Sequence, residues 1–192
     1  MTHTPLNVKE LRDQLHALAT RDGIRHWDLG ASRGMNASVQ VDRGEAKQMK
    51  AAQRSSITVR VWNEQGLVGV TSTSDLSPGG LDKALKGAYQ ASSFGNTEDI
   101  PGFSPLATAP IPELDRPLKP SQSIQTLLST LKDVEGELLA KHPAIETVPY
   151  NGLSEGNSER IYLNSEGALR HMQRTQASLY LYARAEESGR KP

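Results

Sequence analysis

From Arg54 to Ser77 the chain reads RSSITVRVWNEQGLVGVTSTSDLS, and its apolar positions recur every second residue before the spacing changes to a helical one. Ile57, Val59 and Val61 fall on one side of an extended chain and Thr58, Arg60 and Trp62 on the other, the pattern of a half-buried strand. Asn63 to Gly66 predict a tight turn in which Gly66 takes positive φ, and Leu67 to Thr73 return as the second strand of a hairpin. Ser77-Pro78 then supply a cap and a first helical residue, and Leu81, Ala84, Leu85, Ala88 and Ala91 recur at helical spacing behind them.

Toward the N-terminus, Asn7 followed by Glu10 reads as a capping-box variant. The stripe Val8, Leu11, Leu15 and Leu18 predicts a helix to about Ala19, stopped by Gly23. His26 to Ala31 and Ser38 to Val41 predict two short strands, the second turning at Asp42-Arg43-Gly44-Glu45. Ala46 to Gln53 (AKQMKAAQ) consists of good helix formers, so propensity alone favours a helix there. Between Phe94 and Gln122 sit six of the eleven prolines, which predicts a long non-regular connection, either a packed crossover or a mobile segment. Ser123 can cap the next helix. Ile124, Leu127, Leu128, Leu131, Val134, Leu138 and Leu139 line one face of it, and His142-Pro143 ends it. From Ile124 to Lys141 it would span about 27 Å, enough to cover one face of a sheet. Strands are then predicted at Ile145 to Tyr150, Arg160 to Asn164 and Ala168 to Ala185, joined by turns rich in Gly, Asn and Ser. The segregated order predicts an α+β fold with a mixed, mainly antiparallel sheet flanked by helices, in one domain over residues 1–192.

Two of these segments carry a family resemblance. The run ITVRVWNEQGLVGVTSTSDLSP, with its Ala-rich amphipathic helix, resembles the N-terminal half of the TldD/PmbA family, called modulators of DNA gyrase and understood as metallopeptidase subunits. Arg160 to Gly167 (RIYLNSEG), leading into the strand Gln176 to Ala183, resembles a turn and strand late in that same half. The matching pieces run in the family's order from about Val39 to about Glu187, and the form Asp75-Leu76-Ser77-Pro78 leans toward the PmbA (TldE) branch. The resemblance makes Ala46 to Gln53 a strand, since tertiary pairing overrides weak propensity. It also implies that a TldD-type subunit holds zinc through an HExxxH helix in the C-terminal half and pairs with a PmbA-type subunit to cleave unfolded or modified peptides. On that implication this chain has no catalytic residue and no cofactor of its own, zinc belonging to the TldD-type partner subunit. It would serve as scaffold and substrate-chamber wall, its partners being that subunit or a second copy, and extended peptides. Glu186 to Pro192 follows the last strand with no terminal helix, so an element cut short before the family's C-terminal half is expected.

Composition narrows the alternatives. The 22 basic and 22 acidic side chains cancel, which argues against a general nucleic-acid binder. The absence of cysteine excludes disulfides and Cys-ligated metal and suits a reducing cytoplasm, the expected location. No apolar run of about 18 residues exists to span a membrane, and no signal segment opens the chain. His3, His16, His26, His142 and His171 never fall at the spacing that puts two ligands on one helical face, so neither HExxH nor HExxxH is present. Ser154, Ser158 and Ser165 lie in turn-like sequence outside any nucleophile elbow, and Gly79-Gly80 lacks the spacing of a phosphate loop. A self-sufficient hydrolase would require distant acids and histidines to converge. Lys47, Lys50, Arg54 and Arg60 form a basic run with no acid between Glu45 and Glu64, read first as a solvated sheet face. Through that run the alternative function arises, a freestanding protein- or nucleic-acid-binding module without proteolytic role. Tyr180 and Tyr182 share a face of the last strand with Ser178 and Arg184, packing at a sheet surface or lining a groove.

Overall fold

The computed structural model describes residues 6–96, 102–112, 118–186 and 189. Three α-helices and five strands follow in the order α1 (Val8–Arg21), β1 (His26–Asp42), β2 (Glu45–Trp62), β3 (Val68–Thr73), α2 (Pro78–Ser92), α3 (Ile124–Leu139), β4 (Ile145–Asn164) and β5 (Leu169–Ala185). The strands form one antiparallel sheet in the order β3-β2-β1-β4-β5, an α+β fold. The predicted hairpin pairs Ile57 with Thr73 through to Trp62 with Val68, and Gly66 takes φ 81°. Ala46 to Gln53 lies within β2, as the resemblance required.

Three boundaries differ from the sequence expectation, each for a physical reason. β1 runs unbroken through Ser32 to Ala37, because β2 and β4 flank it on both sides and their ladders hold a stretch with little strand propensity. β4 is likewise one strand where two strands and a Gly, Asn and Ser-rich turn were expected. Asn151 makes that possible near Pro149, which has no N–H to give: its Oδ1 accepts from the Val41 N–H and its Nδ2 donates to the Val41 and Val148 carbonyls, each at 2.9 Å. α3 stops at Leu139 rather than Lys141, since the Ala140 and Lys141 N–H groups already close its last turn onto Gly136 and Leu138.

The chain divides into two compact units. Unit 1 comprises Met1–Gly34, Arg54–Pro117 and Ser158–Gln173. In it the apolar faces of α1 and α2 bury against Trp27, Leu29, Ile57, Val59, Val61, Ile161 and Leu163. Gly69 is required there: a Cβ would meet the Ala88 carbonyl of α2 at 1.9 Å. Asn7 and Ser77 cap the two helices through side-chain oxygens, as their sequence positions predict. Of the proline-rich connection, residues 102–112 are described and are mostly exposed. Phe103 stands edge-on to Trp62 with centroids 4.8 Å apart, Pro105–Ala107 form a single 3-10 turn, and the Arg170 guanidinium binds the Leu106 and Ala109 carbonyls. Residues 97–101 and 113–117 lie outside the described residues.

Unit 2 comprises Met35–Gln53, Leu118–Asn157 and Arg174–Pro192. Its core is smaller: Leu127 and Leu131 of α3 pack on Val39 and Val41 of β1. Glu135, 1% exposed, reaches from α3 to the β1–β2 turn and accepts the Gly44 N–H at 2.7 Å and the Arg43 N–H at 3.3 Å. Both turn residues have positive φ, 51° and 77°, so the buried carboxylate holds a turn of the hairpin-favouring mirror type. Of Glu186 to Pro192, Glu186 donates its N–H to the Ala144 carbonyl at 2.8 Å, Gly189 is also described, and the other residues lie outside the described ones. No helix among the described residues is long and apolar enough to cross a membrane.

Candidate functional site

Two clusters of titratable side chains form in unit 1, both centred on acids that no sequence motif singled out. Asp28 lies between Trp27 and Leu29 in β1, on the sheet face away from the helices, and is 3% exposed. Its carboxylate receives Arg60 Nε at 2.9 Å, a second Arg60 nitrogen and the Tyr162 hydroxyl at 3.2 Å. Arg60 also stands 5.3 Å from the Trp62 ring centroid. The bonds that Arg60 donates to Asp28 raise the Arg60 pKa further, while burial and then the Asp28 charge raise that of Tyr162. Each group satisfies another, so the cluster fixes its face of the sheet and keeps Tyr162 protonated.

The second cluster centres on Glu159 of β4, whose side chain is 1% exposed. Burial pushes its pKa up. The Leu6 N–H at 2.8 Å, His171 Nε2 at 2.7 Å and Gln173 at 3.3 Å outweigh that and hold it below the ordinary value. A His–carboxylate pair is the geometry of an oriented base, but here the carboxylate also receives a backbone N–H and an amide and ties the start of the chain to β4 and β5. One weak sign of it is visible in the chain, a lone acid at an inward-facing position two residues before Ile161 and four before Leu163.

The residues weighed from sequence fall elsewhere. Ser165 sits in the β4–β5 turn, where Gly167 takes φ 89°, and exchanges bonds with the Trp27 backbone; Ser154 and Ser158 lie within β4 itself. Gly79-Gly80 forms the first turn of α2, with the Gly80 N–H on the capping Ser77 hydroxyl at 3.2 Å. His16, His26 and His142 are exposed and His171 is committed to Glu159, while His3 lies outside the described residues. Among the described residues no three His, Cys, Asp or Glu side chains gather as metal ligands. Zinc therefore does not fit the residues described here.

Unit 2 offers a different kind of site, made of strand edges. β3 pairs only with Ile57 to Trp62, so Glu45 to Gln53 of β2 has no strand beyond it among the described residues, and every side chain of that stretch is exposed. β5 is the outer strand on the other side, and from Arg174 to Ala185 only Thr175 and Leu181 are even half-buried. Tyr180 and Tyr182 do share a face there, their ring centroids 6.1 Å apart. Tyr180 lies over Gly152, where a Cβ would come within 2.7 Å of its ring, and its hydroxyl receives Gln40 Nε2 at 3.3 Å. Beside it a cavity of about 270 Å³ opens among Gln40, Lys47, Pro149, Tyr150 and Tyr180. Of the basic run, Arg60 is paired with Asp28, whereas Lys47 and Lys50 stand exposed.

The long four-stranded run, the hairpin and the three helices agree with known protein families. The family model described as PmbA/TldA metallopeptidase domain 1 matches residues 27–92, and that of the PmbA/TldA metallopeptidase central domain matches residues 117–191. The chain belongs to the PmbA/TldD family. Its fold recurs in a proposed modulator of a DNA gyrase from Thermotoga maritima (TM-score 0.75, 18% identity, covering 94% of this chain and 40% of that one). It recurs in TldE from Thermococcus kodakarensis (TM-score 0.72, 14% identity, 95% and 40%) and in a proposed modulator of DNA gyrase from Bacteroides thetaiotaomicron (TM-score 0.76, 18% identity, 96% and 43%). This PmbA/TldD-family chain thus spans about two fifths of the length of those structures. No curated protein matches it. The two family segments lie on either side of the proline-rich connection, and both the PmbA and the TldD branch remain compatible with them.

Proposed function

We propose that this chain is a non-catalytic scaffold and substrate-chamber domain of a TldD/PmbA-type zinc metallopeptidase assembly, in the cytoplasm, acting on unfolded or modified peptides. The observation that carries the reading is the pair of long strand edges in unit 2, Glu45 to Gln53 and Arg174 to Ala185. A free edge presents backbone donors and acceptors in a row, so it adds an extended chain by main-chain hydrogen bonds without demanding one side-chain sequence. That suits a subunit serving unfolded peptides, and equally the docking of a TldD-type partner or a second copy. Tyr180 and Tyr182 add amphipathic surface beside the β5 edge. Catalysis would then rest with zinc in the partner subunit. Accordingly, elemental analysis of the untagged chain is expected to find no stoichiometric zinc, and about one metal per chain would contradict the reading.

Sedimentation velocity tests the scaffold role. The chain should sediment faster when a TldD-type subunit is added, and should retain a labelled unfolded peptide. A monomer that ignores both partner and peptide would overturn it.

One observation favours a second reading, a freestanding protein- or nucleic-acid-binding module. Lys47 and Lys50 project from an exposed strand without a described acidic partner. Lysines on an edge also guard it against unwanted pairing, which explains them without a ligand. The two readings separate by salt. Binding through the lysines weakens steeply as salt is raised, whereas binding through backbone pairing changes little.

A further inference from the structure

Gly30 stands near the middle of the first half of β1 with no structural reason to be glycine. Its φ is in the ordinary range, it is exposed, and nothing lies within 4 Å of where a Cβ would be. Glycine inside a strand weakens it, and where neither bend nor packing needs it, the missing side chain marks a place where something else approaches the backbone. Above Gly30 a groove of about 470 Å³ opens on unit 1, the size of a small-ligand site.

The walls of that groove define what it takes. Arg160 and Arg170 both line it, and among the described residues no carboxylate does. Arg160 makes no hydrogen bond or ion pair among the described residues, and Arg170 donates to the neutral carbonyls of Leu169, Leu106 and Ala109. The two acids nearest to lining residues in the sequence are committed elsewhere, Asp28 to Arg60 and Tyr162, and Glu159 to Leu6, His171 and Gln173. Two guanidiniums with no described counter-charge attract an oxyanion, and the planar fork of Arg160, which no described group occupies, matches a carboxylate. Ile111, Ile161 and Met172 give the wall an apolar part beside the polar Ser56, Thr58 and His171, which favours a carboxylate carrying an apolar body over a small hydrated ion.

We propose that this groove binds an organic carboxylate of about the size of one or two amino-acid residues, its carboxylate against Arg160 and Arg170 and its apolar body over Gly30. The site stands on the geometry of unit 1 and does not depend on the peptidase reading.

Chemical-shift titration of the 192-residue chain tests it, with N-acetyl-leucine and N-acetyl-phenylalanine as free acids, their amides, and inorganic phosphate as probes. At least one free acid should give saturable shifts at Gly30 and Thr58, with the matching amide binding about tenfold more weakly, the loss expected for one charged hydrogen bond. Gly30→Val has room for its side chain, so it should leave the melting temperature unchanged or higher while abolishing binding. Arg160→Gln, which breaks no described contact, should weaken the acid about tenfold and leave the amide unaffected. Four results would each overturn the proposal: no saturable shift at about 10 mM of either acid, equal binding of acid and amide, phosphate binding as tightly as the acids, or undiminished binding by Gly30→Val.

Discussion

Within the single strand β2, residues Ile57 to Trp62 and Glu45 to Gln53 share the same backbone geometry and almost nothing else. In the first stretch Ile57, Val59 and Val61 are fully buried beneath α1 and α2, and β3 pairs along the outer side. In the second, every side chain is exposed and no described strand lies beyond. Alternating β-branched residues make a strand that is held by its core. Ala, Lys, Gln and Met make one that is held by its inner neighbour and by a turn, with Glu135 clamping the Arg43 and Gly44 N–H groups. Stability is therefore concentrated in unit 1, and the open edge is left to unit 2, where binding is expected.

The largest test of that contrast is a charge placed on either face of the buried end of β2. Val59→Asp buries an unpaired carboxylate in the core and should cost about 4 kcal/mol or more by denaturant unfolding. Thr58→Asp, on the opposite face, should be much milder; equal losses at the two positions would mean the strand's register is off by one residue. Removing the clamp comes next. Glu135→Ala leaves two turn N–H groups without their acceptor and should cost about 1–3 kcal/mol, with faster amide exchange at Arg43 and Gly44 as the local readout.

A third test uses acid. Because the folded-state pKa of Glu159 lies below its ordinary value, its bonds to Leu6, His171 and Gln173 stabilise the fold at and above that ordinary value and are lost as pH falls through the folded value. Glu159→Gln should flatten the dependence of melting temperature on pH in that acid range; an unchanged slope would remove Glu159 from the account. The smallest effect is expected at the open edge. Met49→Asp should alter stability by no more than about 0.5 kcal/mol, and a larger loss would mean the edge is covered.

The contrast also explains what could be read from the sequence. The hairpin from Ile57 to Thr73 was legible because alternation, a glycine turn and a capped helix all agree there, and each signal is local. The helices were legible to within two or three residues for the same reason. β4 was not, because Pro149, Gly152 and Gly156 punctuate it like a loop. What keeps it extended is distant: Asn151 bonding to Val41, and the Tyr180 ring lying over Gly152. Asp28 and Glu159 escaped notice for a related reason. A buried acid is unremarkable in sequence until the fold brings Arg60, or Leu6 and His171, to it. That HExxxH is missing from these 192 residues is plain in the sequence, whereas only the sheet order reveals which strand lacks a neighbour.

Amide hydrogen exchange on the chain alone, and then with an unfolded peptide or a TldD-type subunit, tests the central claim most directly. The account predicts slow exchange at Val59 and Val61 in both states. Alternate amides of Glu45 to Gln53 or of Arg174 to Ala185 should exchange quickly in the free chain and become protected when either partner is added. Protection of both edges in the free monomer, or no change at either edge with both partners present, would contradict it.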